Sequence, residues 1–358
     1  NSTALASRAD DFDAAVGGLV HIWRHFRAEQ VYRSDSLGVI RTGARWLTMM
    51  SMGWMIAQWR RARPRSLLDN SPLDGLLAHL IDTRQLKRVM REGHLQALAV
   101  SASSYGSGLH VTFYDAVHDI VPWTRSQRIA VRCDIGIPHL LASSAIPFVF
   151  PAVPLTLAGR IEHFGDGSMR QSAPISPAVH LGAQRILVVG AGRMHEPAAE
   201  RAVTSDYPNL AQIAGHALSN IFLDALAVDV ERLQRINATL ALLPPEARSR
   251  TSLRPIDVLV IAPSKRLDTI AAKHLHRLPA PVRALLRGVG VSGHGDDARG
   301  AALASYLLFE AGYTRELLAL GRADTFARRD EVMAFFGWKP RRVLPGMPAP
   351  VHVVAAAK

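Results

Sequence analysis

Two short segments, RILVVGAG (185–192) and PIDVLVIAPS (255–264), are apolar almost without a break, and they limit the available folds more than any other feature of the chain. A strand with one face in water alternates apolar and polar side chains. A strand covered on both faces reads as a continuous apolar run, the pattern of parallel sheets layered between helices. A long helical pattern from about Leu210 to Leu243 separates the two segments and is closed by Pro244 and Pro245, whose missing N–H groups and rings stop a helix. Strand, helix and strand in that order predict an α/β fold, a mostly parallel sheet flanked by helices.

The remaining elements fit that layering. From Asp10 to Arg27, Phe12, Val16, Leu19, Trp23 and Phe26 fall on one helical stripe, with Asp10, Asp11 and Asp13 placed to favour the helix N-terminus. A short helix is expected around Leu73 to Ile81. LQALAVSAS (95–103) and HVTFYDAV (110–117) flank the glycine-bearing turn Tyr105 to Gly108 and predict a hairpin. PHLLASSAIPFVFP predicts a short helix that stops near Pro147. Helical patterns fill most of Pro279 to Phe336, apart from Gly288 to Gly300. Neither loop-like stretch, Glu246 to Arg254 or Gly288 to Gly300, separates two self-sufficient cores. Residues 1–200 and 201–358 are therefore read as one structural unit, the second part being the remaining strand and a helical C-terminal extension.

At 358 residues and 48% hydrophobic, the chain can bury a large core. Its formal charge of +12 comes almost wholly from arginine. No RNA-binding or helix-turn-helix pattern is present and aromatics are only 6%, so no nucleic-acid partner is expected and phosphate-bearing lipid is the favoured acidic partner. The single cysteine, Cys133, excludes an internal disulfide and a four-cysteine zinc site, and suits a reducing compartment. The longest stretch without formal charge, Ile135 to Gly159, holds four prolines (Pro138, Pro147, Pro151, Pro154), so no membrane-spanning helix is expected there. With no basic and apolar leader pattern at the start, the expected location is cytoplasmic, with a peripheral place at the inner face of the membrane as an option. Oligomeric state is left open.

One further segment bears on lipid. Between Trp46 and Trp59 there is no charge, and Arg60, Arg61, Arg63 and Arg65 close the stretch. Its large side chains point all round a helical axis, which suits a buried helix, a cap over a pocket, or insertion into a lipid interface. Trp46, Met49, Met50, Trp54, Met55, Trp59, Arg60 and Arg61 are the candidate lipid contacts.

Several motifs carry less than they first suggest. VVGAGR lacks the third glycine of a dinucleotide fingerprint, and GVGVSGHGDDARG lacks the Lys-Ser/Thr of a phosphate loop. His21 and His25 are four apart but have no neighbouring Glu, and the HLH at 274–276 sits on a polar segment. No metal and no cofactor are expected. Asp166-Gly167, taken alone, is a turn signal.

Its surroundings change that reading. ASSAIPFVFPAV (142–153), FGDGSMRQSAPISPAVHLGA (164–183) and RILVVG (185–190), in that order and spacing, resemble the C-terminal half of the bacterial patatin-like phospholipase family. NSTALASRADDF at the start resembles the helix that the family places after its Gly-x-Ser-x-Gly nucleophile elbow. The resemblance covers Asn1 to about Gly192. It implies a patatin-like fold and a Ser-Asp dyad hydrolysing phospholipid or acylglycerol esters, with Asp166 as general base, Gly167 and Ser168 as motif neighbours, and no cofactor.

The chain departs from the family where the nucleophile should be. No serine lies in Gly-x-Ser-x-Gly: Ser107 and Ser292 have glycines at the wrong offsets, and the glycine-rich oxyanion loop is missing. The family places both just ahead of the position of Asn1, so the expectation is a piece of a larger acyl hydrolase, inactive as written, with Asp166 as half a dyad. Ser168 stands where the motif has Gly or Ala, and the Asn common before the later proline is replaced around Ser172 and Ala173. The alternative is a non-catalytic lipid-binding or scaffold protein of the same fold. A third reading recruits His139 or His180 into a triad.

Overall fold

The computed structural model describes residues 11–34, 66–171, 173–194, 207–293, 295 and 299–338. The candidate lipid segment from Trp46 to Arg61 lies outside these residues. Helices α1 (Phe12–Arg24), α2 (Ser71–Leu80) and α3 (Thr83–Arg91) precede the sheet. Strands β1 (Ala97–Ser104), β2 (His110–Ala116), β3 (Thr124–Arg125) and β4 (Arg128–Arg132) follow, then helix α4 (Ile137–Ser143) and strands β5 (Val153–Leu157) and β6 (Arg160–Asp166). Next come α5 (Ser176–His180), β7 (Arg185–Val189), α6 (Leu210–Leu242), α7 (Pro245–Arg248) and β8 (Asp257–Ile261). The C-terminal region is helical: α8 (Leu267–His274), α9 (Ala280–Gly288), α10 (Ala301–Ser305), α11 (Ala311–Ala327) and α12 (Arg329–Phe336).

The α/β layering and helical C-terminal region are those the sequence predicts, and the pairing directions make the sheet mixed. Six strands lie in the order β3-β4-β2-β1-β6-β5, and β7 and β8 form a separate pair. Pairing is parallel at β2–β4 and β7–β8, and antiparallel at β1–β2, β1–β6, β3–β4 and β5–β6. Connection length explains this. A parallel crossover needs about a dozen residues or more, which α6 supplies between β7 and β8. The turn between β1 and β2 can only fold back. So can Ala158-Gly159 between β5 and β6, where φ of 49° and 78° gives the doubly left-handed turn that suits a two-residue hairpin.

Side chains alternate across the sheet with a period of two. Leu98, Val100, Ala102, Val111, Phe113, Ile129 and Val131 share one core with Leu86 and Met90 of α3 and Ala142 of α4. Ala97, Ala99, Tyr114, Ala116 and Ala130 face the other way, against Trp123 and Leu181. A larger core joins distant parts of the chain, packing Phe26, Tyr32 and Phe150 with Ile270, Leu307 and Leu308.

Two expected faces are less covered than the sequence suggests. On β7, Ile186 is buried and packs with Val230 of α6, but Leu187 and Val189 are 42% and 78% exposed; α6 covers one side of the pair only. Among the described residues, the stripe of α1 is held near its C-terminal end. There Thr314 Oγ1 donates to the Trp23 carbonyl (2.6 Å) and Arg315 Nε to that of Arg24 (3.0 Å), while Phe12 stays 54% exposed. Among the described residues, no helix is long and apolar enough to cross a membrane.

Candidate active site

Strand β6 runs inward from an exposed start and ends at Asp166, where Phe164, Gly165, Asp166 and Gly167 are all buried. Asp166 pairs across the sheet with Ala102 of β1, and its N–H donates to the Ala145 carbonyl at 3.0 Å. The carboxylate then closes the strand end. Its Oδ1 accepts from the Ser168 N–H at 2.8 Å, capping the short 3-10 turn Gly167–Arg170. Asp, with a short acceptor side chain, suits such a cap.

Of the two glycines beside Asp166, Gly167 is the one that space requires, because it faces backbone, whereas the end of the exposed Tyr105 side chain beside Gly165 can shift. A Cβ on Gly167 would fall against the Ser101 carbonyl, 2.6 Å from its carbon, and one on Gly165 would lie 2.8 Å from the Tyr105 ring. Neither glycine has a left-handed backbone. What Gly167 permits is close approach to β1 rather than an unusual turn.

Asp166 is 8% exposed. Among the described residues no cation pairs with it, and burial pushes its carboxyl above the usual carboxylate range; the Ser168 N–H and hydroxyl, which hydrogen-bond the ionised form, oppose that shift in part. Two tyrosines share its field. Burial raises the hydroxyls of Tyr105 and Tyr306, and the Asp166 charge raises both further, while a hydrogen bond to Ser219 holds Tyr306 back. Close by, His110 is 3% exposed with Nδ1 lacking a hydrogen-bond partner. Desolvation first, then the Arg128 charge, pulls it down to about 4 against an opposing contact with the Gly167 backbone, so it is a neutral imidazole at pH 7. A cavity of about 400 Å³ adjoins the turn, lined by Ser168, Gln171 and Ile175 on one side and by Ile186 to Ala191 on the other.

The structure thus brings Asp166, Gly167 and Ser168 together at one buried strand end and keeps the other candidates apart. Ser107 Oγ donates to Glu162 (2.8 Å), and Ser292 forms a bridge with Arg299. His139 accepts from the Gly136 N–H (3.1 Å) and rests 3.6 Å from Cys133 Sγ; His180 stacks on Trp123 at 4.6 Å. Neither histidine bonds to Asp166. His21 and His25 lie against each other with their rings tilted (4.3 Å, 37°), His274 pairs with Glu316 (2.9 Å), and no group of potential metal ligands forms among the described residues. Tyr105, Tyr306 and Ser219 were not legible as site residues. Tyr105 sits in the recognised hairpin turn, whereas Tyr306 and Ser219 come from helical segments far along the chain with no local signature.

No family model, curated protein or solved structure matches this chain.

Proposed function

We propose that Asp166 is the general base of a Ser-Asp acyl hydrolase acting on phospholipid or acylglycerol esters. The observation that carries the reading is a carboxylate almost wholly withdrawn from water, with no cation paired to it among the described residues. Burying such a charge opposes folding, and a structural cap alone would be served as well by asparagine. Desolvation makes the carboxylate a stronger proton acceptor than a surface aspartate.

The nucleophile is a serine hydroxyl brought to Asp166 by a segment carrying Gly-x-Ser-x-Gly. As Oγ bonds to the ester carbonyl carbon, its proton passes to an Asp166 oxygen and the C–O bond to the alcohol breaks, the alcohol leaving with that proton; water then attacks the acyl-serine, gives a proton to Asp166, and the acyl C–Oγ bond breaks as that proton returns to Oγ, releasing the carboxylic acid. The cavity beside Ser168 and the uncovered Leu187 and Val189 are apolar surface on which an acyl chain or a covering segment can lie.

The test is hydrolysis of a short-chain aryl ester by two proteins: the 358-residue chain, and the same chain carrying whatever its gene encodes upstream. Activity in the longer protein that Asp166→Asn abolishes supports the dyad. Activity indifferent to that change overturns it, and inactivity of both, with retained lipid binding, selects the non-catalytic scaffold.

A further inference from the structure

The β3–β4 hairpin and the end of α5 form a basic surface with no part in ester hydrolysis. Arg125 and Arg128 are partners across the antiparallel pair, so their side chains leave the sheet on the same face. Trp123, two residues before Arg125, shares that face and is held between Tyr114 (5.4 Å, 26°) and His180 (4.6 Å, 9°). Arg254 reaches the same place, its Nη2 donating to the Val179 carbonyl at 2.7 Å. His180 registers all three guanidiniums: burial lowers its pKa, and Arg125, Arg128 and Arg254 lower it further.

Missing countercharge sets these arginines apart. Arg132, on the same strand as Arg128, pairs with Asp119 at 2.7 Å. Among the described residues, Arg125, Arg128 and Arg254 have no carboxylate partner; Arg125 bonds only to the Thr124 carbonyl (3.0 Å) and Arg254 only to carbonyls of Val179 and Ala183. The loop joining β2 to β3, which leads into Trp123, exposes the bare apolar side chain of Val121 at 85%. Single-stranded nucleic acid needs a free aromatic face on which a base can stack, and the Trp123 ring is already stacked with Tyr114 and His180. An exposed valine tip, a half-buried tryptophan and unpaired guanidiniums together match the headgroup layer of a bilayer, where apolar groups enter and cations meet phosphate.

The geometry points to this surface, Val121, Trp123, Arg125, Arg128 and Arg254, as a docking site for an anionic phospholipid bilayer. The choice of lipid over other anions rests on the acyl-hydrolase reading, but the binding itself needs no catalysis.

Co-sedimentation of the 358-residue protein with vesicles tests it, using phosphatidylcholine alone and phosphatidylcholine mixed with phosphatidylglycerol. Binding should require phosphatidylglycerol and fade with salt. At about 1 kcal/mol per arginine near such a surface, R125Q/R128Q should weaken it roughly thirtyfold. The equal charge change R283Q/R287Q on α9 should leave it intact. Val121→Asp, at a site too exposed to affect folding, should weaken it independently. Unchanged binding by R125Q/R128Q, or equal loss in the α9 control, overturns the proposal. So does a single-stranded RNA that binds through Arg125 and Arg128 where vesicles do not. Asp166→Asn should leave vesicle binding untouched, so failure of the catalytic reading and failure of the docking site give different results.

Discussion

Gly167 lies against the Ser101 carbonyl so closely that a Cβ there would overlap it, and this contact presses the Asp166 turn onto strand β1. Backbone cannot retreat as a flexible side chain can, so Gly167→Ala should cost about 1–3 kcal/mol or more in urea unfolding. Gly17, in the exposed part of α1 with nothing within 4 Å of its added Cβ, is the counterpart. Gly17→Ala should stabilise by about 0.5–1 kcal/mol, because alanine loses less backbone freedom in a helix.

Asp166→Asn should make the protein more stable at neutral pH. Its folded-state pKa is raised by burial, so between the unfolded value and the folded one the native state holds the extra proton and stability falls as pH rises. The native carboxylate therefore works against folding above that window. The amide removes the charge while keeping an oxygen for the Ser168 N–H. Thermal unfolding of both proteins across pH should show the variant ahead at pH 7. The two should converge once pH drops below the unfolded aspartate value of about 3.9. A variant that melts lower at pH 7 would mean that the charge is structural.

Much of this architecture is legible in the sequence. The β7–α6–β8 unit follows from two apolar runs around one helix, and the β1–β2 hairpin from its glycine turn. Pairing directions were harder, because β6 joins β1 through contacts between residues about sixty positions apart that leave no local pattern. The apolar character of β7 over-reported its burial: Leu187 and Val189 are apolar and exposed. At the site, Asp166 was legible because strand, carboxylate and glycine are consecutive. The reason for Gly167 was not, since close approach to Ser101 depends on the partner strand. Tyr306 reaches the Asp166 field from a helical segment that carries no motif.

His110 predicts an acid-sensitive step of the opposite sign. Its imidazole is buried and pulled down to about 4 in the native state. Between there and the unfolded value of about 6.5, the unfolded chain binds the extra proton. The stability it supports is complete above that range and declines as pH falls through it, by about 3 kcal/mol at the lower end. His110→Gln should flatten this slope in urea midpoints measured between pH 7 and pH 4. An unchanged slope would place the titration elsewhere.

Tyr32 joins a segment that precedes the sheet to one that follows it. Its ring is fully buried beside Phe150 and Phe309, and its hydroxyl donates to the Leu307 carbonyl at 2.8 Å across 275 residues. Burial and the nearby Glu310 and Glu29 charges keep that hydroxyl protonated far above neutral pH, so the donor is present under all ordinary conditions. Tyr32→Phe keeps the ring and leaves a buried carbonyl without this donor, which should cost about 1–3 kcal/mol. Because residues before β1 and after β8 share this core, the loss should appear as a lower midpoint of one cooperative transition followed by both tryptophan fluorescence and far-ultraviolet circular dichroism. If the two probes separate instead, the N-terminal helices and the C-terminal helices unfold as independent units.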